Sequence, residues 1–165
     1  MRITKLANFS ETDSWTTEMN LISAPGCEDV VDIRQKKKDG SCEGRGITLS
    51  LEDLRNLVIA FFEWEEEGGC LAKFTIPPKT GFSRPKHKIL ERIAVLGKTA
   101  DQWNKELNVV SFCENAPKFD IREWLPDYTG YRNGKTFTES EMQSIAYAYE
   151  CFFGQLPHKK EHWWE

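Results

Sequence analysis

Trp15–Ser23, with the sequence WTTEMNLIS, and Trp103–Ser111, with the sequence WNKELNVVS, lie 88 residues apart and share four identical positions. At the same spacing, Asp32-Ile33-Arg34 matches Asp120-Ile121-Arg122. About eleven of the fifty residues that begin at Trp15 are identical to their counterparts, whereas chance gives roughly one in 16–20 at ordinary composition. The sequence therefore predicts an internal duplication.

Each copy contains four strand-like segments followed by one helix-like segment. The strand segments are Arg2–Ala7, Glu18–Ser23, Val30–Arg34 and Gly46–Leu49 in the first copy, and Arg92–Leu96, Glu106–Phe112, Lys118–Trp124 and Gly134–Phe137 in the second. Ser50 and Thr138 each precede an acidic residue by three positions and a run of apolar residues at helical spacing. We expect an α+β fold of two tandem β-β-β-β-α domains, each an antiparallel sheet with one helix. With a two-residue gap, Arg2-Ile3 aligns with Arg92-Ile93.

The predicted domain boundaries follow from this repeat. Residues 1–67 form the first copy, 68–88 a basic connector containing prolines, 89–154 the second copy, and 155–165 a C-terminal tail. The connector favours a semi-extended tether, although its charge is also compatible with contact to a ligand. The tail, with Trp163 and Trp164, is compatible with docking a partner or with folding back.

Composition narrows the function classes. The chain has no apolar run long enough for a membrane helix and no signal-peptide core, which predicts a cytoplasmic protein, with nucleoid association as an option. Five scattered cysteines and three histidines show no zinc spacing, so we expect free thiols, no metal and no cofactor. No phosphate loop or nucleophile elbow is present, and we expect no enzyme. The net charge of −4 opposes nucleic-acid binding, but cations cluster at Lys36–Lys38 and between Lys73 and Arg92.

Strand alternation predicts a face of each sheet that the domain's single helix leaves uncovered. If Phe119 and Ile121 enter the core, Arg122 and Trp124 share the opposite face, where they would offer a phosphate partner and a stacking platform. In the first copy Arg34 lies on this face. The remaining residues assigned to the uncovered faces are Lys118 and Asp120, with Phe112 from the preceding strand, and Asp32 and Lys36 in the first copy. Because Ala24 replaces Phe112 and Lys36 replaces Trp124, the second sheet is predicted to be the stronger platform.

These segments resemble the transcriptional positive cofactor (PC-four-like) family of single-stranded DNA-binding proteins, in particular its bacterial YdbC-type branch. The resemblance rests on Trp103–Ser111 and residues 117–127 in the second copy and leaves out the connector and the tail. In the first copy it rests on Trp15–Ser23, Asp32-Ile33-Arg34 and Gly44–Leu49. It implies homodimerisation and single strands laid across two sheets without strong sequence preference. Because both copies lie on one chain, we expect a monomeric intramolecular pseudo-dimer, with further oligomerisation possible.

The resemblance also implies basic and aromatic contact residues on the sheets. Carried over by position these are Lys105, Lys118, Arg122 and Trp124 in the second copy, and Arg34 and Arg45 in the first. With those from the residue pattern, the candidate nucleic-acid-binding residues are Arg34, Lys36, Lys38, Arg45, Lys105, Phe112, Lys118, Arg122, Trp124 and Lys135. Thr17 stands where the family has a lysine, and Asn133 where it has a basic residue, so the two copies differ.

Two functions remain open at this point. The first is binding of single-stranded DNA, or RNA, in transcription, replication or repair. The alternative is a protein-interaction module whose open sheets bind a partner protein. Trp15 and Trp103 are compatible with stacking on bases and also with plugging the edge of a core.

Overall fold

The computed structural model describes residues 1–9, 11–75, 87–112 and 115–156, without the side chains of His87 and Phe112. Most of the predicted connector and the paired tryptophans of the tail thus lie outside the described residues. The elements in chain order are β1 (Arg2–Phe9), β2 (Trp15–Ser23), β3 (Val30–Lys37), β4 (Glu43–Ser50), α1 (Leu51–Glu66), a 3₁₀ turn (Leu71–Lys73), β5 (His87–Lys98), β6 (Asn104–Phe112), β7 (Lys118–Trp124), β8 (Tyr131–Phe137) and α2 (Glu139–Phe153).

The eight strands form two four-stranded antiparallel sheets with the orders β1-β2-β3-β4 and β5-β6-β7-β8. The predicted fold of two tandem β-β-β-β-α units is confirmed. Each helix begins at the predicted hydroxyl residue: the Ser50 Oγ accepts a hydrogen bond of 3.0 Å from the Asp53 amide, and Thr138 forms a full capping box with Glu141. These bonds satisfy amide groups that a helix N-terminus otherwise leaves without an acceptor.

Each helix packs against the first strand of the other sheet as well as against its own sheet. The rings of Phe61 and Trp64 in α1 contact Phe119 of β7, with centroid separations of 5.4 and 5.2 Å. The Asn56 side chain donates a hydrogen bond of 2.9 Å to the Leu96 carbonyl in β5. One hydrophobic cluster therefore runs through both copies, and the chain is a pseudo-dimer with a shared core.

Strand pairing corrects one detail of the internal alignment. Arg2 pairs with Ser23, and Lys88 pairs with the equivalent Ser111, so Arg2 corresponds to Lys88. The expected match of Arg2 with Arg92 is wrong. β5 contains three register shifts against β6, whereas β1 contains one against β2. These irregularities insert extra residues into β5, which a linear alignment with one gap cannot locate.

Two further observations concern membrane-spanning helices and possible metal ligands among the described residues. No described helix combines the length and apolar character needed to cross a membrane. Within the same part of the chain, Cys27, Cys42, Cys70 and Cys151 are free thiols, and no group of three or more His, Cys, Asp or Glu side chains is arranged around a common metal position.

Candidate nucleic-acid interface

Both sheets turn one face toward the shared core and the helices, and we call the opposite faces the outer faces. Strand register assigns alternate residues to them. The first outer face carries Lys5, Glu18, Asn20, Asp32, Arg34, Lys36 and Thr48. The second carries Arg92, Glu106, Asn108, Asp120, Arg122, Trp124 and Thr136.

On the first outer face, Arg34 lies flat across the neighbouring strand and is held in place by Asp32. Its Nε and Nη2 donate hydrogen bonds of 3.2 and 3.1 Å to the Asp32 carboxylate, and Nη1 donates to the Gly44 carbonyl at 3.3 Å. The hydrogen bonds to Asp32 raise the pKa of Arg34. A Cβ at Gly46 would lie 2.7 Å from the Arg34 Cζ, so glycine provides the room for this side chain.

The second outer face repeats the arrangement in a more buried form. The Arg122 Nε donates to both oxygens of Asp120 at 3.2 and 3.1 Å, and a Cβ at Gly134 would lie 2.6 Å from the Arg122 Cζ. Asp120 is completely buried. Burial raises the pKa of Asp120, and the charge of Arg122 opposes that shift only in part.

An open groove of about 680 Å³, which we call the first groove, lies on the first outer face beside the turn between β3 and β4. Its walls include Asn8, Thr16, Glu18, Lys36, Gly40 and Glu43. The Glu18 carboxylate accepts ion pairs from Lys5 at 3.0 Å and from Lys36 at 3.2 Å. Lys38 pairs with Glu11 at 3.5 Å on the rim. The groove thus combines cations with carboxylates, rather than presenting a purely basic surface.

On the second outer face, the loop between β7 and β8 closes the equivalent space. Trp124 is only 5% exposed, with its ring centroid 5.7 Å from that of Tyr128 and 5.1 Å from that of Tyr131. The expectation that Arg122 and Trp124 form an open platform is therefore wrong in its geometry. The physical reason is that Tyr128 of this loop and Tyr131, the first residue of β8, cover a face that strand alternation alone leaves uncovered.

Two predicted cations lie away from the outer faces. Lys105 points toward the first copy, where its Nζ pairs with Asp53 at 3.5 Å and donates to the Thr48 carbonyl at 3.4 Å. Lys135 occupies the core-facing side of β8, opposite Ile121, and is 8% exposed. Burial lowers the pKa of Lys135. Lys105 and Arg34 both line a cavity of about 270 Å³ where the two copies meet, whereas Lys135 does not line it.

The remaining predicted residues are distributed as follows. Arg45 and Lys118 are exposed, but Arg45 follows the core-facing alternation of β4 at the junction of the sheets, and Lys118 lies at the start of β7. The Phe112 side chain falls outside the described part of the chain. Trp103 is half-buried beneath Arg132, whose Cζ lies 4.1 Å from its ring centroid.

Sequence reasoning missed three residues of these outer faces: Lys5, Glu18 and Tyr128. Glu18 was visible as an identity of the repeat, and Lys5 lies at an alternate position of its strand. Tyr128 carried no such signal, because it sits in a turn. Comparison of the sequence with models of known protein families gives no match, and comparison with curated proteins gives none either.

Proposed function

We propose that this chain binds single-stranded nucleic acid, DNA or RNA, without catalysis, and that the first outer face is the principal contact surface. The observation that carries the proposal is the arginine laid over a glycine beside an open groove. Arg34 is fixed by Asp32 and Gly46, and Lys36 lies two residues further along the same strand on the same face. Lys5 lies on β1, on the other side of Glu18, and the described helices pack on the opposite face of the sheet. The resemblance of both copies to PC-four-like proteins points to the same function.

Arg34 retains capacity for a phosphate. A guanidinium has five N–H donors, and three of them are used by Asp32 and Gly44. Its side chain is 28% exposed, so the other two can reach a ligand. Because Asp32 fixes the plane of the guanidinium, little side-chain entropy is lost when a phosphate binds.

Lys5 and Lys36 can exchange partners when a strand binds. The Lys5 ammonium contacts Glu18, and the Lys36 ammonium contacts both Glu18 at 3.2 Å and Glu43 at 4.0 Å, although each has three donors. A phosphate near Arg34 would give these lysines a further anion, and the exchange would release counterions from the strand. Binding is therefore expected to weaken steeply with salt.

The net charge of −4 does not have to oppose binding at the first outer face. Part of the acidic charge lies at the C-terminal end of α1, where Glu63 is exposed and is followed by Glu65, Glu66 and the capping residue Glu67. Charges that lie more than a Debye length from a bound strand, about 8 Å at physiological salt, are largely screened, so the local potential at the binding surface matters more than the net charge. We expect modest affinity with little overall sequence preference.

Fluorescence anisotropy with labelled oligo-dT and with a duplex of equal length tests the proposal. Wild-type protein should bind the single strand more tightly, and the double variant Arg34→Ala/Lys36→Ala should lose about tenfold in affinity or more. Arg55→Ala is the control, because Arg55 is exposed on α1. Equal affinity for duplex and single strand, or equal effects of the control and the double variant, contradicts the proposal.

One observation favours the alternative of a protein-interaction module. Near the C-terminal end of α2, Tyr147, Phe152 and Phe153 are 73%, 51% and 37% exposed, and exposed aromatic groups are typical of protein contacts. In a pull-down repeated with nuclease, partners that survive nuclease and are lost in Tyr147→Ser/Phe152→Ser favour this function. Partners that disappear with nuclease favour nucleic-acid binding.

A further inference from the structure

The turns between β3 and β4 and between β7 and β8 have the same backbone structure. The Gly40 amide donates to the Lys37 carbonyl at 2.9 Å, and the Tyr128 amide donates to the Leu125 carbonyl at 2.9 Å. Both residues have positive φ, 77° at Gly40 and 61° at Tyr128. Tyr128 therefore occupies the position of Gly40, in a conformation that favours glycine.

The Tyr128 ring makes three contacts on the second outer face. The Arg92 Cζ lies 3.6 Å from the ring centroid, which is a cation–π distance. The hydroxyl group donates a hydrogen bond of 2.6 Å to the Glu106 Oε2, and the Trp124 ring lies beside it. A planar ring with a donor at its edge thus fills this space.

The first outer face offers equivalents of these groups without the ring. Lys5 corresponds to Arg92, because they pair with the equivalent asparagines Asn20 and Asn108. Glu18 corresponds to Glu106, because they lie opposite the equivalent arginines. Gly40 contributes no side chain, and the first groove opens at this point, with Glu18 in its wall.

We propose that the first groove binds a nucleobase, whose ring takes the place that Tyr128 fills in the second copy and whose N–H edge donates to Glu18. This inference rests on the proposed function and adds a base preference at one position. Tyr128 acts in this view as an internal stand-in for the base. The remainder of the bound strand stays sequence-tolerant.

The chemistry of Glu18 favours guanine. Although partial burial alone would raise it, hydrogen bonds from Lys5 and Lys36 lower the pKa of Glu18, so the carboxylate is ionised and only accepts. Guanine presents two adjacent donors, N1–H and the 2-amino group. The two Glu18 oxygens can accept both once Lys36, which shares Oε2 with the Asn20 amide, turns to a phosphate. Adenine and cytosine present one amino group beside an acceptor nitrogen, and thymine presents one N–H between two carbonyls.

The test uses two oligonucleotides of equal length, one alternating thymine with guanine and one alternating thymine with hypoxanthine, which lacks the 2-amino group. Lithium salts are used because they do not support guanine quadruplexes. Wild-type protein should bind the guanine strand about fivefold more tightly, as expected for one charge-assisted hydrogen bond at a partly exposed site. In Glu18→Gln the ratio should fall to about one. The exposed Glu63→Gln, with the same change in charge, should keep it.

The outcomes separate the two proposals. Binding of both strands with an equal ratio in wild type and Glu18→Gln overturns the base pocket and leaves the proposed function in place. Absence of binding to either strand overturns both. A circular dichroism spectrum and an unfolding midpoint of Glu18→Gln that match those of the wild type distinguish a lost preference from a misfolded protein.

Tyr128→Gly provides a converse test on the second copy. Removing the ring should open the equivalent space, and glycine tolerates the positive φ without strain. Titration calorimetry with the guanine strand should then show a second binding equivalent per chain. An unchanged stoichiometry in a variant with the wild-type circular dichroism spectrum overturns the equivalence of the two spaces.

Discussion

Gly46 and Gly134 allow the same substitution to be compared in two settings, because they are equivalent positions of β4 and β8. In each case a new Cβ would meet the arginine of the neighbouring strand: Arg34 at 2.7 Å and Arg122 at 2.6 Å. Such distances are below van der Waals contact, so the arginine must leave its place. We expect Gly134→Ala to destabilise the fold more than Gly46→Ala.

The difference in magnitude follows from the burial of the aspartate that each arginine would leave. The Asp32 side chain is 12% exposed and keeps a hydrogen bond of 3.0 Å from Thr48, so Gly46→Ala costs mainly the overpacking, about 1–3 kcal/mol. Asp120 is completely buried, and loss of the partner of a buried ion pair costs about 3–5 kcal/mol. Alanine in a strand recovers about 0.5–1 kcal/mol relative to glycine. The net losses are therefore about 0–2.5 kcal/mol for Gly46→Ala and about 2–4.5 kcal/mol for Gly134→Ala.

Urea denaturation followed by tryptophan fluorescence measures both values on one chain. The two variants serve as controls for each other, since composition and local strand geometry are matched. Single-strand affinity should respond in the opposite order, because Arg34 is the arginine on the open face. Equal destabilisation, or a larger loss in Gly46→Ala, would refute the assignment of the buried pair to the second copy.

Three other predictions concern the shared core, two carboxyl groups and the junction. Trp64→Ala, which removes a ring packed on the other sheet, should cost about 3–5 kcal/mol while unfolding remains a single transition; two separate transitions would contradict a common core. Titration by NMR should give Glu18 a pKa below its usual value. The contribution of Glu18 to the free energy of unfolding should then be lost as the pH falls through that pKa. The same titration should give Asp120 a raised pKa. The stability that the protonated Asp120 contributes to the fold should then be lost as the pH rises through that pKa. Ordinary pKa values at both carboxyl groups would contradict the environments described above. Lys105→Ala should lower the free energy of unfolding, since it breaks a link between the copies, with less effect on oligo-dT affinity than Arg34→Ala; the reverse order would place Lys105 in the interface.

The fold was predictable from the sequence because the same order of four strands and one helix occurs twice, and because each element is marked by residues close together in the chain. Alternation placed Phe119 and Ile121 in the core, where both are buried, and hydroxyl residues marked both helix starts. The same rule would have placed Lys135 on the core side, since it lies two residues before the buried Phe137. Its charge led to the opposite interpretation, although a lysine can bury its aliphatic stem beside an aromatic ring.

The candidate site was less predictable because it depends on contacts between elements. The cover over Trp124 comes from Tyr128 and Tyr131, whose positions depend on the conformation of a turn. The path of Lys105 into the first copy depends on how the two sheets meet, which strand periodicity does not report. These two features move the proposed binding surface from the second sheet to the first.

NMR mapping of backbone amides during titration with oligo-dT shows whether a single strand lies on the first outer face. We expect saturable shifts along β2 and β3, at Glu18, Asp32, Arg34 and Lys36, with much smaller shifts at Arg122 and Trp124. Shifts confined to the helices or to the second outer face, or no saturable shifts at all, would contradict it.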